Sequence, residues 1–292
     1  MGNGMPFAWR EPVKSIADDK KPDQLIGQQT VVRFPASRLL VIPFLIYTVW
    51  VLETFLLEGS LGLFAHYQPL PLILYMVFAN IVVGIAVPVV CLRSAFISGA
   101  VNMFQIGFRS PRRAILVTVF TGLIGYLCLI TFTPYGVHRL ALFNMLMLML
   151  PVAIAGVMVC WVLIGTHVQA YVRRGGAVSS IIAGVIVTGI IFGLSSVVHS
   201  QLLNQPDDLL SMTIVGLASA VFFFSIRDVY ASSLFVAFGI MVVVFQRIDP
   251  AYGDTVIPLV YGTAALSLLC LLGSHYYLYR NFFTIRVPVK NQ

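Results

Sequence analysis

Apolar residues in this chain come in blocks of about twenty, and almost every lysine and arginine falls between alternate blocks. A helix rises about 1.5 Å per residue, so about twenty apolar residues cross a hydrocarbon core of roughly 30 Å with every backbone hydrogen bond made internally. Eight such blocks can be counted, at about 39–57, 71–92, 113–133, 139–166, 177–199, 209–226, 230–246 and 256–279. Hydrophobic residues fill 59% of the 292 positions and charged residues 10%, too few charges to cover a water-soluble globule of this length. The expected fold is all-α: a polytopic membrane helix bundle of about eight transmembrane helices. A polar tail over 1–38 precedes the helical domain at 39–280, and a short tail occupies 281–292.

Eight crossings place both termini on one side, and Lys and Arg are retained on the cytoplasmic face. The two terminal segments and the even-numbered loops hold 16 of the 18 basic residues, leaving only Arg139 and Arg247 on the other side. One span more or fewer would scramble that partition, so the count and an N-in, C-in orientation support each other. The formal charge of +7 reads as topology and as attraction to anionic membrane lipids, with no nucleic-acid partner expected. The first apolar block starts only at Leu39, so span one is expected to be a retained start-transfer helix. The expected location is the cytoplasmic membrane of a prokaryote.

Between spans two and three, Ser94, Ser98, Asn102, Gln105 and Arg109 recur at helical spacing opposite Phe96, Ala100, Phe104 and Phe108. This pattern predicts an amphipathic helix at the membrane interface, ending in Arg109, Arg112 and Arg113. In span five, Gly189 and Gly193 are continued by Ser196 and Ser200, a row of small residues that lets two helix backbones approach closely. Ionisable groups inside the spans are sparse. Glu53 and Asn80 stand out, and both read as interhelical hydrogen-bonding or snorkelling groups.

His66, His138 and His199 fall at or beyond outer span ends, near Asp207, Asp208, Asp249 and Asp254. They are the candidate metal ligands, but each histidine comes from a different loop and no spacing fixes a site. No cofactor is expected. Cys91, Cys128, Cys160 and Cys270 read as buried apolar residues. A Ser195–His275 dyad would need both groups at one depth, whereas this topology puts Ser195 near the outer end of its span and His275 near the inner end.

The order of features over 151–245 resembles the core of the CPBP (CAAX-protease and bacteriocin-processing, or Abi) family of intramembrane metalloproteases. Tyr171-Val-Arg173-Arg174-Gly175 follows span four, Phe192 and His199 close span five, and Arg227-Asp228 leads into span seven. The family has a Glu-Glu pair before its arginine and a later histidine in a His-x-x-x-Asn motif. Matching the arginine to Arg174 puts Gln169 and Ala170 at the glutamates; matching it to Arg173 puts Val168 and Gln169 there. No histidine occurs in 200–246. The resemblance therefore implies a pseudoenzyme, because metal-assisted proteolysis needs a carboxylate to handle water and imidazoles to hold the metal.

Chemistry this sparse points to a non-catalytic membrane protein acting as scaffold or accessory subunit beside another integral membrane protein. The alternatives are a transporter or channel for a small or lipidic solute, and an active intramembrane protease. The topology makes a direct prediction for cysteine-accessibility labelling. Positions 14, 113, 174 and 286 should react from the cytoplasmic side, and 207 and 254 from the other. Labelling of 174 and 207 from one side would contradict the eight-span count.

Overall fold

A computed structural model of the protein describes residues 36–63, 68–97, 101, 103–132, 139–172, 176–199, 206–244 and 258–285. These residues form helices and connecting turns with no β-strand among them. Among the described residues, seven helices are long and apolar enough to cross a membrane: span one Leu40–Gly59, span two Pro69–Arg93, span three Pro111–Thr131, span four Arg139–Val172, span five Ala177–Val198, span six Asp207–Ile226 and span eight Pro258–Arg280. A shorter apolar helix, Val229–Val244, is span seven. The chain is thus an all-α polytopic bundle, with helix ends within a few residues of those read from the apolar blocks.

Span four is the axis. Of its most apolar 18-residue stretch 94% is buried, against 17% for span three. A helix that is apolar all round has no face to offer water, so it sits inside the bundle. Spans one, two, five, seven and eight pack round it. Span three touches the bundle mainly through span seven, and span six mainly through spans five and seven. Two wider π-helical stretches, Tyr75–Ala86 in span two and Val157–Gly165 in span four, meet within the core.

Small residues set how closely these helices approach, which matters because lipid supplies no hydrophobic drive between them. A Cβ added to Gly84 of span two would lie 3.2 Å from the Cα of Ala155 in span four. Between spans five and six, a Cβ on Gly193 would come within 2.8 Å of the Cα of Thr213, and one on Gly189 within 2.9 Å of the Cα of Leu217. From the other side, a Cβ on Gly216 would meet the carbonyl oxygen of Gly189 at 2.6 Å. Ser196, one turn beyond Gly193, is buried and turns its hydroxyl onto the Gly193 carbonyl. Ser200 lies outside the described residues.

The stretch read as one amphipathic helix, 94–109, is divided. The span two helix runs on to Ile97, and only a single turn, Met103–Ile106, follows. Gly107 then takes φ +84°, where a Cβ would crowd the Phe223 ring at 3.0 Å and the Arg227 backbone at 3.2 Å. Its carbonyl accepts the Val229 N–H at 3.1 Å, so the connection is stitched to the turn between spans six and seven. Ile106 and Phe108 are consequently buried. Helical periodicity alone gave no sign of that anchor.

Gly193→Leu should cost about 1–3 kcal/mol of stability by forcing spans five and six apart. Gly262→Leu, where an added Cβ meets nothing within 4 Å, should be close to neutral. Thermal unfolding in detergent checks both, and equal midpoints would remove the case for the close contact.

Candidate functional site

Polar side chains gather at both ends of the bundle. At one end, the π-helical last turn of span one, Phe55–Gly59, carries Glu58, which is 0% exposed. Its Oε2 lies 2.9 Å from Nδ1 of His199, just beyond span five. Gly59 makes this possible, since a Cβ there would run into the Val198 backbone, 3.2 Å from its carbonyl carbon. Tyr75 of span two is close enough to Glu58 to feel its charge and faces Thr54 and Asn80. A cavity of about 30 Å³ adjoins the pair, lined by Trp50, Phe192, Ser195, Ser196 and His199 among others. That is room for one or two waters. Among the described residues the Trp50 indole N–H has no acceptor, whereas both serine hydroxyls bond back to their own helix, at Phe192 and Gly193.

At the other end, two residues, Arg227 and Asp228, join spans six and seven. Arg227 takes φ +55°, a left-handed conformation that glycine usually supplies after a helix. Its N–H closes span six on the Phe223 carbonyl at 2.7 Å. The side chain is held firmly: Nη1 donates to the Gln105 carbonyl at 2.7 Å and Nη2 to Gln169 Oε1 at 2.8 Å. Its guanidinium also sits 4.7 Å from the Phe224 ring centroid. Arg109 Nε donates to the Arg227 carbonyl at 3.1 Å. Burial first, then the neighbouring Arg109 charge, lowers the Arg227 pKa to about 10, so the group stays charged near neutrality.

Asp228, 0% exposed, caps span seven by accepting the Ala231 N–H at 2.9 Å. Burial pushes its carboxyl pKa up, while the backbone N–H groups of Ala231 and Tyr230 and the charges of Arg113 and Arg109 pull it back. Nearby, the Tyr230 hydroxyl and His275 Nδ1 are 3.0 Å apart, and His275 packs on Phe108 with ring centroids 4.9 Å apart.

The sequence candidates thus scatter. Ser195 and His275 lie at opposite ends of the bundle with different partners, so they form no dyad. Gln169, at a position where the resemblance calls for glutamate, sits with Arg227; His199, its candidate histidine, sits with Glu58 at the far end. Among the described residues no group of three or more His, Cys, Asp or Glu side chains is placed to hold a metal ion. His66, His138, Arg173 and Arg174 lie outside the described residues. Glu58 is the residue sequence reasoning passed over, because it falls one position past the apolar block and looks like a loop residue. No protein-family model, curated protein or solved structure matches the chain.

Removing one member of a buried hydrogen-bonded pair takes a partner from the other, at a cost of about 1–3 kcal/mol. Glu58→Ala and His199→Ala should each destabilise the protein on that scale, and the double variant should lose clearly less than their sum. Additive losses in a thermal-unfolding cycle would show that the two side chains act independently.

Proposed function

We propose that this protein is a non-catalytic integral membrane scaffold or accessory subunit, oriented N-in and C-in in the cytoplasmic membrane of a prokaryote. The observation that carries the reading is a set of side-chain hydrogen bonds that fasten one helix to another. Tyr47 of span one donates to the Ile191 carbonyl of span five at 2.7 Å. Arg93 of span two donates to the Tyr277 hydroxyl of span eight at 2.9 Å. Tyr261 of span eight donates to Asn144 of span four. Glu58–His199, Arg227–Gln169 and Tyr230–His275 follow the same pattern. A cavity of about 30 Å³ beside the Glu58–His199 pair has no room for a peptide.

The CPBP resemblance, on this proposal, is that of a pseudoprotease. A carboxamide cannot accept a proton from water near neutral pH, and Gln169 spends its oxygen on Arg227. One histidine cannot hold a catalytic zinc, which ordinarily has about three protein ligands.

Extraction of the native membrane into polymer nanodiscs, followed by native mass spectrometry, tests the scaffold role. A stoichiometric integral membrane partner is the expected result, with no bound zinc and no peptide cleavage. A clean monomer, or chelator-sensitive cleavage lost in His199→Ala, would overturn the proposal. Substrate-dependent flux in proteoliposomes would favour a transporter instead.

A further inference from the structure

The cavity beside Glu58 and His199 draws on three separate elements for its donor atoms. Met149 comes from span four, Met212 from span six and His199 from just beyond span five, and all three line the same space of about 30 Å³. The two methionines are buried, at 2% and 3% exposure. A space of this size takes a single ion or one or two waters, and no larger molecule. Two thioethers and an imidazole at one small cavity are a set of soft and borderline metal ligands.

Glu58 supplies a second feature that points the same way. Its carboxylate is 0% exposed and lies 2.9 Å from His199 Nδ1. Metal-binding histidines characteristically give one ring nitrogen to a carboxylate, which fixes the tautomer and turns the other nitrogen to the metal. Held at Nδ1, His199 coordinates through Nε2 on the opposite edge of its ring. Its side chain is 9% exposed, so the cavity reaches the end of the bundle there and an ion has a way in.

Ligand type and charge together select the ion. Copper is the metal that accepts both thioether and imidazole. A buried charge is costly unless it is paired, and two thioethers with a neutral imidazole bring none. The Glu58 carboxylate brings one negative charge. Cu(I) therefore closes the balance at zero, whereas Cu(II) or Zn(II) would leave an excess positive charge in the core. We propose that Met149, Met212 and His199 bind one Cu(I) ion, with Glu58 as the positioning residue for His199. The site is independent of the scaffold reading, since it requires neither a protein partner nor an inactive protease.

The test is an anaerobic titration of the purified full chain with Cu(I), in competition with the chromophoric chelator bicinchoninate. Wild type should hold one more equivalent of copper than Met149→Leu/Met212→Leu. Leucine matches methionine in volume, so this pair of substitutions removes the thioethers and keeps the packing, and the copper-free thermal midpoint should stay at the wild-type value. Met145→Leu, buried one turn earlier in span four and outside the cavity lining, should bind copper as wild type does. Glu58→Gln keeps a hydrogen-bonding group beside His199 but removes the charge, and should weaken copper binding about 10–100-fold. Copper should raise the thermal midpoint of wild type and leave that of the double variant unmoved, and zinc should raise neither. Equal copper retention by wild type and the double variant, no copper held by wild type against the chelator, or an equal rise with zinc would each overturn the proposal.

Discussion

The structure depends on one constraint: a backbone inside hydrocarbon has no water to satisfy its N–H and C=O groups. That constraint makes every block of about twenty apolar residues a helix, and it leaves assembly to close packing and to a few polar contacts. Span four meets it in the most demanding position. It can be buried on all sides because Ala153, Ala155, Gly156 and Gly165 keep parts of its surface low, so neighbouring backbones or aromatic rings come close. Gly156 and Gly165 face the rings of Phe192 and Phe224, where an added Cβ would lie 3.0 and 2.8 Å from ring carbons. The axis is a shape before it is a chemistry.

Polar side chains then fix how the outer helices turn against that axis. A hydrogen bond between two helices specifies rotation and depth, which apolar packing leaves loose. The fasteners are strongest at the ends of the bundle, where Glu58–His199 joins spans one and five and Arg227 ties the six–seven turn to span four. Arg227 illustrates the balance of terms. Its left-handed backbone costs on the order of 1–3 kcal/mol, and two charge-assisted hydrogen bonds plus a cation–π contact offset it. The strain follows from the sharp turn that puts Asp228 directly at the start of span seven.

Much of the fold was legible because the apolar blocks are long and the charges between them few. Periodicity and composition act within a segment, and they located helix ends such as Pro111, Arg139 and Ala177 closely. They do not report what lies across from a residue. Glu58 and His199 are 141 positions apart, so nothing in either neighbourhood announces the pair. The same limit hid the Gln169–Arg227 contact, 58 positions apart, and the tuck of Gly107 beneath the six–seven turn. Small residues were more informative. The row Gly189, Gly193, Ser196 marks a close approach in sequence because a missing side chain is itself a local signal, although it does not say which helix arrives.

A closed interior whose polar groups serve assembly is the central claim, and Cys160 tests it most directly. It is fully buried near the middle of span four, within the π-helical stretch, so a water-soluble reagent can meet it only by entering the core. In a variant retaining only that cysteine, a small water-soluble methanethiosulfonate applied to native membranes should leave Cys160 unmodified until the protein is unfolded. Rapid labelling in the folded protein would reveal a water-filled passage and contradict the account.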